Sequence, residues 1–396
     1  MKKQRSGSVL IITLMMLSAI VLLTEKLITS VRVGSLFTKT MVYREHAEML
    51  ALGGINLAIT QLTVDMTDKE DKKGSKPEEK EEETGEEKSE KSEGKGAKKK
   101  DSKKYVAKLL PSLNRWQEFK LQESVDGIDG LIKMCITCEN GKININEAFD
   151  FKKQEFKKDI SSLLKKLEIS GMLAPGELFT RFTEYFKKRN RKLDDITELS
   201  EIPGINKLDI FYNPPEKAEK KGKKSEPNKI IALQDLFTIW TDEGTINPLW
   251  FSDAVCAIFG LRRPLADDPR LRQESFKQFL GMFKENMTSD WEANWKTLEP
   301  LYEEKPKILP EIKNLFSKEF WPKVFSVLSY GKVGHVEQAV LAIVKEVEEA
   351  PDTADKEEKK GENEAEKEKE AVGAESKDKK PGESKKFFKI LRIYWI

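Results

Sequence analysis

The sequence has few of the residues on which disulfide-stabilised folds and metal sites depend. Its three cysteines, Cys135, Cys138 and Cys256, are too few and odd in number for a disulfide framework, and two histidines leave little for metal binding or acid–base chemistry. Excess charge of one sign is also missing, since 70 basic and 68 acidic side chains leave a net charge of +2. This balance argues against nucleic acid as a partner, because a polyanion is held by a field of one sign.

Catalytic motifs are absent as well. The sequence contains no nucleophile elbow, no glycine-rich phosphate loop and no HExxH pair. The segment LSEIPGINKLDIF has Asn206 where a DNA-binding hairpin turn carries its second glycine, which favours a structural turn. The CxxC of Cys135 and Cys138 lies in the predicted strand GLIKMCITC, where residues three apart point to opposite faces. We therefore predict buried structural thiols and a protein that is not an enzyme.

A long apolar run is present at the N-terminus. The basic residues Lys2, Lys3 and Arg5 precede an apolar stretch from Val9 to Leu23. This length is close to the lower limit for a transmembrane helix, which needs about 20 apolar residues. Under the positive-inside rule the N-terminus stays in the cytoplasm and the bulk of the chain lies on the other side. A cleaved signal peptide is the alternative, but the following TEKLITSVRVGS has no small-x-small site.

The predicted helix continues beyond the membrane. From Thr24 to Met66 there is no proline, and apolar residues recur at helical spacing. We predict a single element over residues 8–66, about 88 Å long at 1.5 Å per residue, with Gly53-Gly54 as its bend.

Three segments are rich in Lys, Glu, Gly, Ser and Asp. They cover residues 67–104, 216–227 and 351–386, and we predict that they are disordered, solvated loops because they have nothing apolar to bury. The remaining blocks predict an α+β fold: the long N-terminal helix is followed by a sheet domain that a large all-helical insertion interrupts. The predicted ranges are 105–146 for the first strands, 147–316 for the insertion and 317–396 for the closing strands.

Local patterns support this order. Asn140-Gly141 is the clearest hairpin signal among the first strands, and FSVLSYGKVG, HVEQAVLAIVKEV and FFKILRIYWI predict a late sheet. Helices are predicted in FKKDISSLLKKLEI, PGELFTRFTEYFKKRN, ITELSEI, LWFSDAVCAIFGL and PRLRQESFKQFLGMFKENM. Four tryptophans are predicted to be core or interface anchors: Trp291, Trp295, Trp321 and Trp395.

The order of an N-terminal hydrophobic helix, strands, a helical insertion and closing strands resembles the general secretion pathway protein K family, the minor pseudopilin K of type II secretion, over most of the chain outside the charged loops. The short basic leader ends in Gly7 and looks like a prepilin peptidase site, with cleavage leaving Ser8, free or methylated, as the mature N-terminus. The fifth mature residue is Ile12, where most pilins carry a glutamate, and absence of that glutamate is characteristic of the K family. A buried carboxylate in an apolar filament core is costly unless the amine of a neighbouring subunit neutralises it. A subunit without that neighbour therefore does not need the glutamate.

Further residues carry the same resemblance in the same order along the chain. They are YREHAEMLALGG from Tyr43 to Gly54, GKININ from Gly141 to Asn146, TELSEIPGI from Thr197 to Ile205, and Leu233–Phe237 followed by Ile246-Asn247.

The resemblance implies a prepilin leader over 1–7 and a transmembrane and assembly helix over 8–66. It also implies an inner-membrane, single-pass protein with a periplasmic bulk, located at the pseudopilus tip and supporting protein export across the outer membrane. The implied partners are minor pseudopilins of the I and J types, the prepilin peptidase and inner-membrane lipid. The helix residues predicted to act in anchoring and assembly are Val9, Leu10, Ile11, Leu14, Leu17, Ile20, Val21, Leu22 and Leu23.

Two alternatives remain open. One is a minor pilin of a type IV pilus, which shares the leader and the long helix. The other is a single-pass membrane protein that binds extracytoplasmic partners and has no role in a filament.

Calcium is a separate question, because members of the K family bind it in the helical domain. The acidic pairs Asp194-Asp195 and Asp267-Asp268 offer carboxylate ligands. The segment before Asp194-Asp195 is rich in cations, however, and cations repel Ca²⁺. These cations are Lys187, Lys188, Arg189 and Arg191. We therefore predict no cofactor and no metal.

Overall fold

The computed structural model describes residues 5–67, 103, 105–169, 178–205, 210–211, 232–261, 269–283, 287–302, 310–319, 321–348 and 386–396. Apart from residues 67, 103 and 386, the three predicted charged loops lie outside the described residues. The fold is α+β, as predicted: a long apolar N-terminal helix packs on an antiparallel sheet.

The chain contains nine strands and nine α-helices within the described residues. In order, they are α1 (Arg5–Thr67), β1 (Trp116–Leu121), α2 (Glu123–Asp126), β2 (Gly130–Cys138), β3 (Ile143–Asn144), α3 (Ile145–Ala148), β4 (Phe149–Asp150), β5 (Glu155–Phe156), α4 (Lys158–Ile169), α5 (Leu178–Arg189), α6 (Leu233–Leu236), β6 (Phe237–Thr238), α7 (Asp253–Phe259), α8 (Pro269–Met282), α9 (Trp291–Leu298), β7 (Val324–Val333), β8 (Val336–Glu348) and β9 (Lys386–Trp395).

Five of these strands form the main sheet, in the order β1-β2-β7-β8-β9, and every neighbouring pair is antiparallel. β2 and β7 are adjacent in the sheet although far apart in sequence, with Ile136 opposite Val327. The described elements from β3 to α9 therefore form an insertion that leaves the sheet at one strand and returns at its neighbour. The prediction that the insertion is all-helical is wrong, because the insertion contains two small strand pairs, the parallel β3–β6 and the antiparallel β4–β5, and the latter pairs the buried residues Phe149 and Phe156.

The C-terminal half of α1 packs across the main sheet through a stripe of small and aliphatic side chains. Ala47, Ala51, Ile55, Ala58 and Leu62 recur every three or four residues, and each is at most 1% exposed. Residues at this spacing lie on one face of a helix, so a single face of α1 covers the sheet. Three alanines in the stripe allow the helix backbone to approach the strands closely.

Two glycines show how close this approach is. A Cβ atom built on Gly331 of β7 would lie 2.0 Å from the carbonyl oxygen of Ala47, and one built on Gly54 would lie 2.2 Å from Oγ of Ser329. Gly53 and Gly54 lie inside the continuous helix α1, and Gly54 provides contact space against β7.

The insertion covers the opposite face of the sheet. Tyr394 of β9 packs its ring 5.4 Å from that of Phe211, and Lys345 of β8 forms an ion pair of 3.1 Å with Asp242. The insertion has its own aromatic core, in which Phe251, Phe259, Phe316, Trp291 and Trp295 contact one another. The sheet is thus a middle layer between α1 and the insertion.

The late strands and the helices predicted from hydrophobic periodicity are confirmed. The predicted hairpin at Asn140-Gly141 is wrong, because these residues form a 3₁₀ turn, Glu139–Gly141, that leads out of β2 into the insertion. This turn packs against the segment that contains Asn247 and Trp250. The Cβ of any larger residue at Gly141 would lie 1.8 Å from the carbonyl oxygen of Trp250. Asn247 donates its backbone N–H to the Asn140 carbonyl at 2.7 Å.

Of the four tryptophans, Trp291 and Trp295 are buried, in agreement with the predicted core role. Trp321 stacks on Tyr105 with 4.6 Å between ring centroids. Trp395 on β9 is 51% exposed and is not a core residue.

The helix–sheet contact yields a stability test. We expect Gly331→Ala to lower the free energy of unfolding by about 1–3 kcal/mol, because the added methyl group overlaps the α1 backbone. The matched control is Gly281→Ala in α8, where an added Cβ meets nothing within 4 Å; it should be neutral or stabilising by up to about 1 kcal/mol. Chemical denaturation of both variants checks this, and equal effects would contradict the close approach of α1 to β7.

Candidate functional site on the N-terminal helix

The N-terminal half of α1 projects away from the sheet and exposes its apolar side chains. Ile12, at the position that lacks the usual glutamate, is 54% exposed, and Leu10 has the highest exposed fraction among the described anchoring residues, 69%. The others lie between these values: Ile11, Leu14, Leu17, Ile20, Val21, Leu22 and Leu23. So large an apolar surface on one helix is typical of a segment that meets lipid or another protein.

This segment meets the requirements for a membrane-spanning helix. Among the described residues, one helix contains an 18-residue window apolar enough to cross a bilayer; its mean hydropathy is 2.1 and none of it is buried. Its hydroxyl groups are satisfied within the helix, since Thr13, Ser18 and Thr24 donate to backbone carbonyls three or four residues earlier at 2.8–2.9 Å. No hydroxyl at these positions requires water, which suits a hydrocarbon environment.

The predicted cleavage site lies at the start of α1. The backbone at Gly7, Ser8 and Val9 is helical. Met1 to Gln4, including the predicted leader cations Lys2 and Lys3, lie outside the described residues. Cleavage after Gly7 stays a prediction, as does the role of Ile12.

Tyr43 marks the point where α1 passes from its free half to its packed half. Its ring meets that of His335 in the β7–β8 turn edge-on at 6.0 Å, and the ammonium group of Lys39 lies 5.3 Å from its centroid. Gly334 makes this turn with φ of +58°, and a Cβ atom there would lie 3.0 Å from the Tyr43 ring. From Leu23 to Tyr43 the helix rises about 30 Å at 1.5 Å per residue, which separates the apolar segment from the sheet.

The cysteine pair offers no second site. Met134, Ile136 and Cys138 of β2 are buried toward α1, whereas Cys135 points to the other face and is half-buried. The prediction that the two thiols lie on opposite faces is confirmed. Burial raises the pKa of the Cys138 thiol, which keeps it protonated and unreactive at neutral pH.

The acidic residues proposed as calcium ligands are engaged in other contacts. Asp195 caps the 3₁₀ helix Ile196–Glu201, with its Oδ1 accepting from the Thr197 N–H at 2.9 Å. Its other oxygen accepts from the Tyr394 hydroxyl at 3.1 Å and pairs with Nε of Arg392 at 3.1 Å. Burial and the neighbouring Asp195 carboxylate raise the pKa of Tyr394, so its hydroxyl remains a donor.

Arg189 occupies the centre of the acidic cluster that follows α5. Its guanidinium is only 9% exposed, forms an ion pair with Glu198, and lies 3.8 Å from a carboxylate oxygen of both Asp194 and Glu201. It also donates to the hydroxyl of Tyr185 at 3.2 Å. Burial, together with a hydrogen bond to Glu201, raises the pKa of Tyr185 to about 12. The guanidinium of Arg189 thus already contacts all three carboxylates.

Other candidate ligands give no metal site in the described ranges. No group of three or more His, Cys, Asp or Glu side chains there is arranged to hold a metal ion. Asp267-Asp268 lies outside the described residues. The predicted absence of a metal or cofactor stays a prediction.

The two asparagine turns noted in the sequence have similar structural roles. Asn144 caps α3 by accepting from the backbone N–H groups of Asn146 and Glu147 at 3.0 and 3.3 Å. Asn247 accepts from the Leu249 N–H at 3.0 Å and donates to the Glu319 carbonyl at 2.7 Å. Both asparagines organise the insertion.

Sequence reasoning missed a buried ion pair at the junction of sheet and insertion. The ammonium group of Lys142 pairs with Glu139 and donates to Ser326 of β7 at 3.1 Å, and both charged side chains are at most 4% exposed. The sequence signal was their spacing of three residues, which is common on exposed helices and does not by itself indicate burial.

Comparison with known proteins gives little guidance. No family model matches the chain, and no curated protein matches it. Among solved structures, it is similar to a chain in the crystal structure of the GspK-GspI-GspJ complex from the enterotoxigenic Escherichia coli type 2 secretion system. The two are 14% identical, the likeness covers 63% of this chain and 90% of that one, and the TM-score is 0.30. Any function proposed for this chain therefore has to be supported by its own residues.

The Arg189 cluster yields a second stability test. Removing its charge in Arg189→Met leaves the nearby carboxylates uncompensated, and we expect a loss of about 3 kcal/mol in the free energy of unfolding. Arg191 also pairs with Asp194, at 3.4 Å, but is 67% exposed, so Arg191→Met should cost less than about 1 kcal/mol. Urea denaturation distinguishes the two variants, and similar losses would show that Arg189 is not the organising cation.

Proposed function

We propose that the protein is a minor pseudopilin of a type II secretion system, anchored in the inner membrane and then incorporated at the tip of the pseudopilus. The observation that carries this proposal is the division of α1 into two halves. One half exposes an apolar surface of transmembrane length, and the other is packed into an antiparallel sheet domain. Such a helix can reside in lipid and later exchange lipid for the helices of neighbouring subunits without refolding the domain.

The leader explains how that exchange begins. Cleavage between Gly7 and Ser8 by a prepilin peptidase removes Lys2, Lys3 and Arg5, the cations that hold the N-terminus on the cytoplasmic side. The remaining segment carries no charged side chain from Ser8 to Thr24. Extraction of this segment from the bilayer into an apolar filament therefore requires no charged side chain to cross hydrocarbon.

Ile12 supports a position at the tip. A glutamate at this position would be costly in an apolar bundle unless the N-terminal amine of an adjacent subunit neutralised it. Isoleucine needs no such partner, so Ile12 suits a subunit that lacks one of its two axial neighbours. The partners proposed at the tip are minor pseudopilins of the I and J types.

The insertion favours this function over the minor-pilin alternative. It leaves the sheet after Cys138, returns at Val324, and covers the sheet face opposite α1. An insertion of this size on the sheet domain would obstruct a further subunit, as expected for a cap. The type IV minor pilin and the single-pass interaction protein remain the alternatives, and processing and co-assembly experiments separate them.

The first experiment tests processing. After co-expression with a prepilin peptidase, we expect N-terminal sequencing to begin at Ser8, and Gly7→Val to block the cut because the bulkier side chain replaces the glycine before the scissile bond. Gly34→Val, in the exposed part of the same helix, is the matched control and should be processed normally. A wild-type chain that retains Met1 would contradict both pilin interpretations.

The second experiment tests co-assembly at the tip. The mature chain should capture I-type and J-type minor pseudopilins from detergent-solubilised membranes. We expect Ile12→Glu to reduce this capture, because a carboxylate among apolar helices is costly unless an amine neutralises it; Ile12→Leu should not. Capture of type IV pilus subunits in their place would favour the alternative.

A further inference from the structure

Within the described residues, the outer edge of β9 is open. β9 is the last strand in the order β1-β2-β7-β8-β9, and within the described part of the chain no strand pairs with its other side. It runs from Lys386 to Trp395. Natural proteins usually shorten, charge or cover such edges, since unpaired backbone N–H and C=O groups can pair with another chain.

On the α1 side, this edge is apolar. Trp395 lies opposite Val340, which in turn lies opposite Ser329, the residue that faces Gly54 of α1. Ile393 and Ile390 share that face, being opposite Ala342 and Val344. The three exposed side chains are Ile390, Ile393 and Trp395, which are 37%, 39% and 51% accessible. A strand laid along β9 would bury them.

On the insertion side, the edge is cationic. Lys389 lies directly opposite Lys345 of β8, which already pairs with Asp242 at 3.1 Å. In the part of the chain that the structure describes, no carboxylate lies within ion-pair distance of Lys389. Like charges directly opposite each other on antiparallel strands are destabilising, so a carboxylate arriving at Lys389 would relieve a repulsion.

Arg392 adds to this side of the edge. Asp195 and Tyr394 orient its guanidinium, which nevertheless remains 56% exposed. Beside it, an open cavity of about 540 Å³ is lined by β9 residues 390–394 with Asp195 and Thr197. The cavity provides space for side chains that project from an added strand.

We propose that the outer edge of β9 binds an extended, acidic segment of a partner protein by strand addition. Main-chain hydrogen bonds supply affinity, and the two faces of the added strand supply specificity: apolar side chains meet Ile390, Ile393 and Trp395, and acidic ones meet Lys389 and Arg392. This interaction involves neither the leader nor the apolar half of α1, so it goes beyond the proposed function.

A guard role for Lys389 is the competing explanation, because lysines on edge strands also serve to repel other strands. The two explanations differ in their consequences. If Lys389 serves only to prevent strand pairing, it should weaken the binding of every added strand. If it takes part in binding, it should favour an added strand that carries acidic side chains.

The experiment uses the full chain in detergent micelles and a fluorescent ten-residue peptide that alternates glutamate and valine. We expect saturable binding by fluorescence anisotropy. Two control peptides should fail to bind: one of the same composition with all glutamates before the valines, which loses the two-faced pattern, and one N-methylated at every backbone amide, which loses the hydrogen-bond donors on both of its edges.

Charge reversal on the protein completes the test. Lys389→Glu should weaken binding of the acidic peptide by about three- to tenfold and create binding of a peptide that alternates lysine and valine. The matched control is Lys120→Glu on β1, an exposed lysine at the opposite edge of the sheet, which should change neither. Absence of saturable binding to the wild-type chain, equal losses in the two variants, or unchanged binding of the N-methylated peptide would overturn the proposal. These outcomes leave processing at Gly7 unaffected, so failure of strand addition is distinguishable from failure of the proposed function.

Discussion

The structure depends on the close contact between the C-terminal half of α1 and strand β7. The helix backbone at Ala47 approaches Gly331 so closely that a single methyl group would overlap its carbonyl oxygen. Such proximity is possible only where small residues face each other, and it makes the two backbones behave as one rigid body. The direction in which the free half of the helix leaves the sheet follows from this contact, together with the contact of Tyr43 with the β7–β8 turn.

The close contact between α1 and β7 couples movement of the helix to movement of the sheet domain. Because α1 is a single helix through Gly53 and Gly54, displacement of its apolar half along its axis displaces the sheet domain with it. The proposed transfer of this helix from the membrane to a filament requires such a movement to be transmitted. The hydroxyl groups of Thr13, Ser18 and Thr24 in the apolar segment are already satisfied by the helix backbone, so the proposed transfer from lipid to neighbouring helices leaves none of these hydroxyls unpaired.

The order of elements was predictable from the sequence because it follows from periodicity. The closing strands have strong β-branched and aromatic content, and the helices of the insertion show clear amphipathic spacing, so local pattern and final structure agree. The error at Asn140-Gly141 arose because an Asn-Gly pair predicts a turn but not what the turn connects. In the folded chain, its glycine is needed for the close approach of the Trp250 carbonyl, a contact between residues far apart in sequence. The burial of Glu139 and Lys142 could not be predicted from the sequence either, because it also depends on contacts between residues far apart in sequence.

That buried pair also bears on how the insertion is oriented. The attraction between Lys142 and Glu139 is largely offset by the cost of removing both charges from water, so its main contribution is geometric. The pair tolerates few alternative arrangements, because displacement of Lys142 from Ser326 would leave its buried ammonium group with one hydrogen bond fewer. Asn140 reinforces it by accepting from the backbone of both Lys323 and Val324 where the chain returns to the sheet. The start and the end of the insertion are therefore joined at one point, and an insertion held in this way keeps a defined orientation relative to α1 on the opposite face.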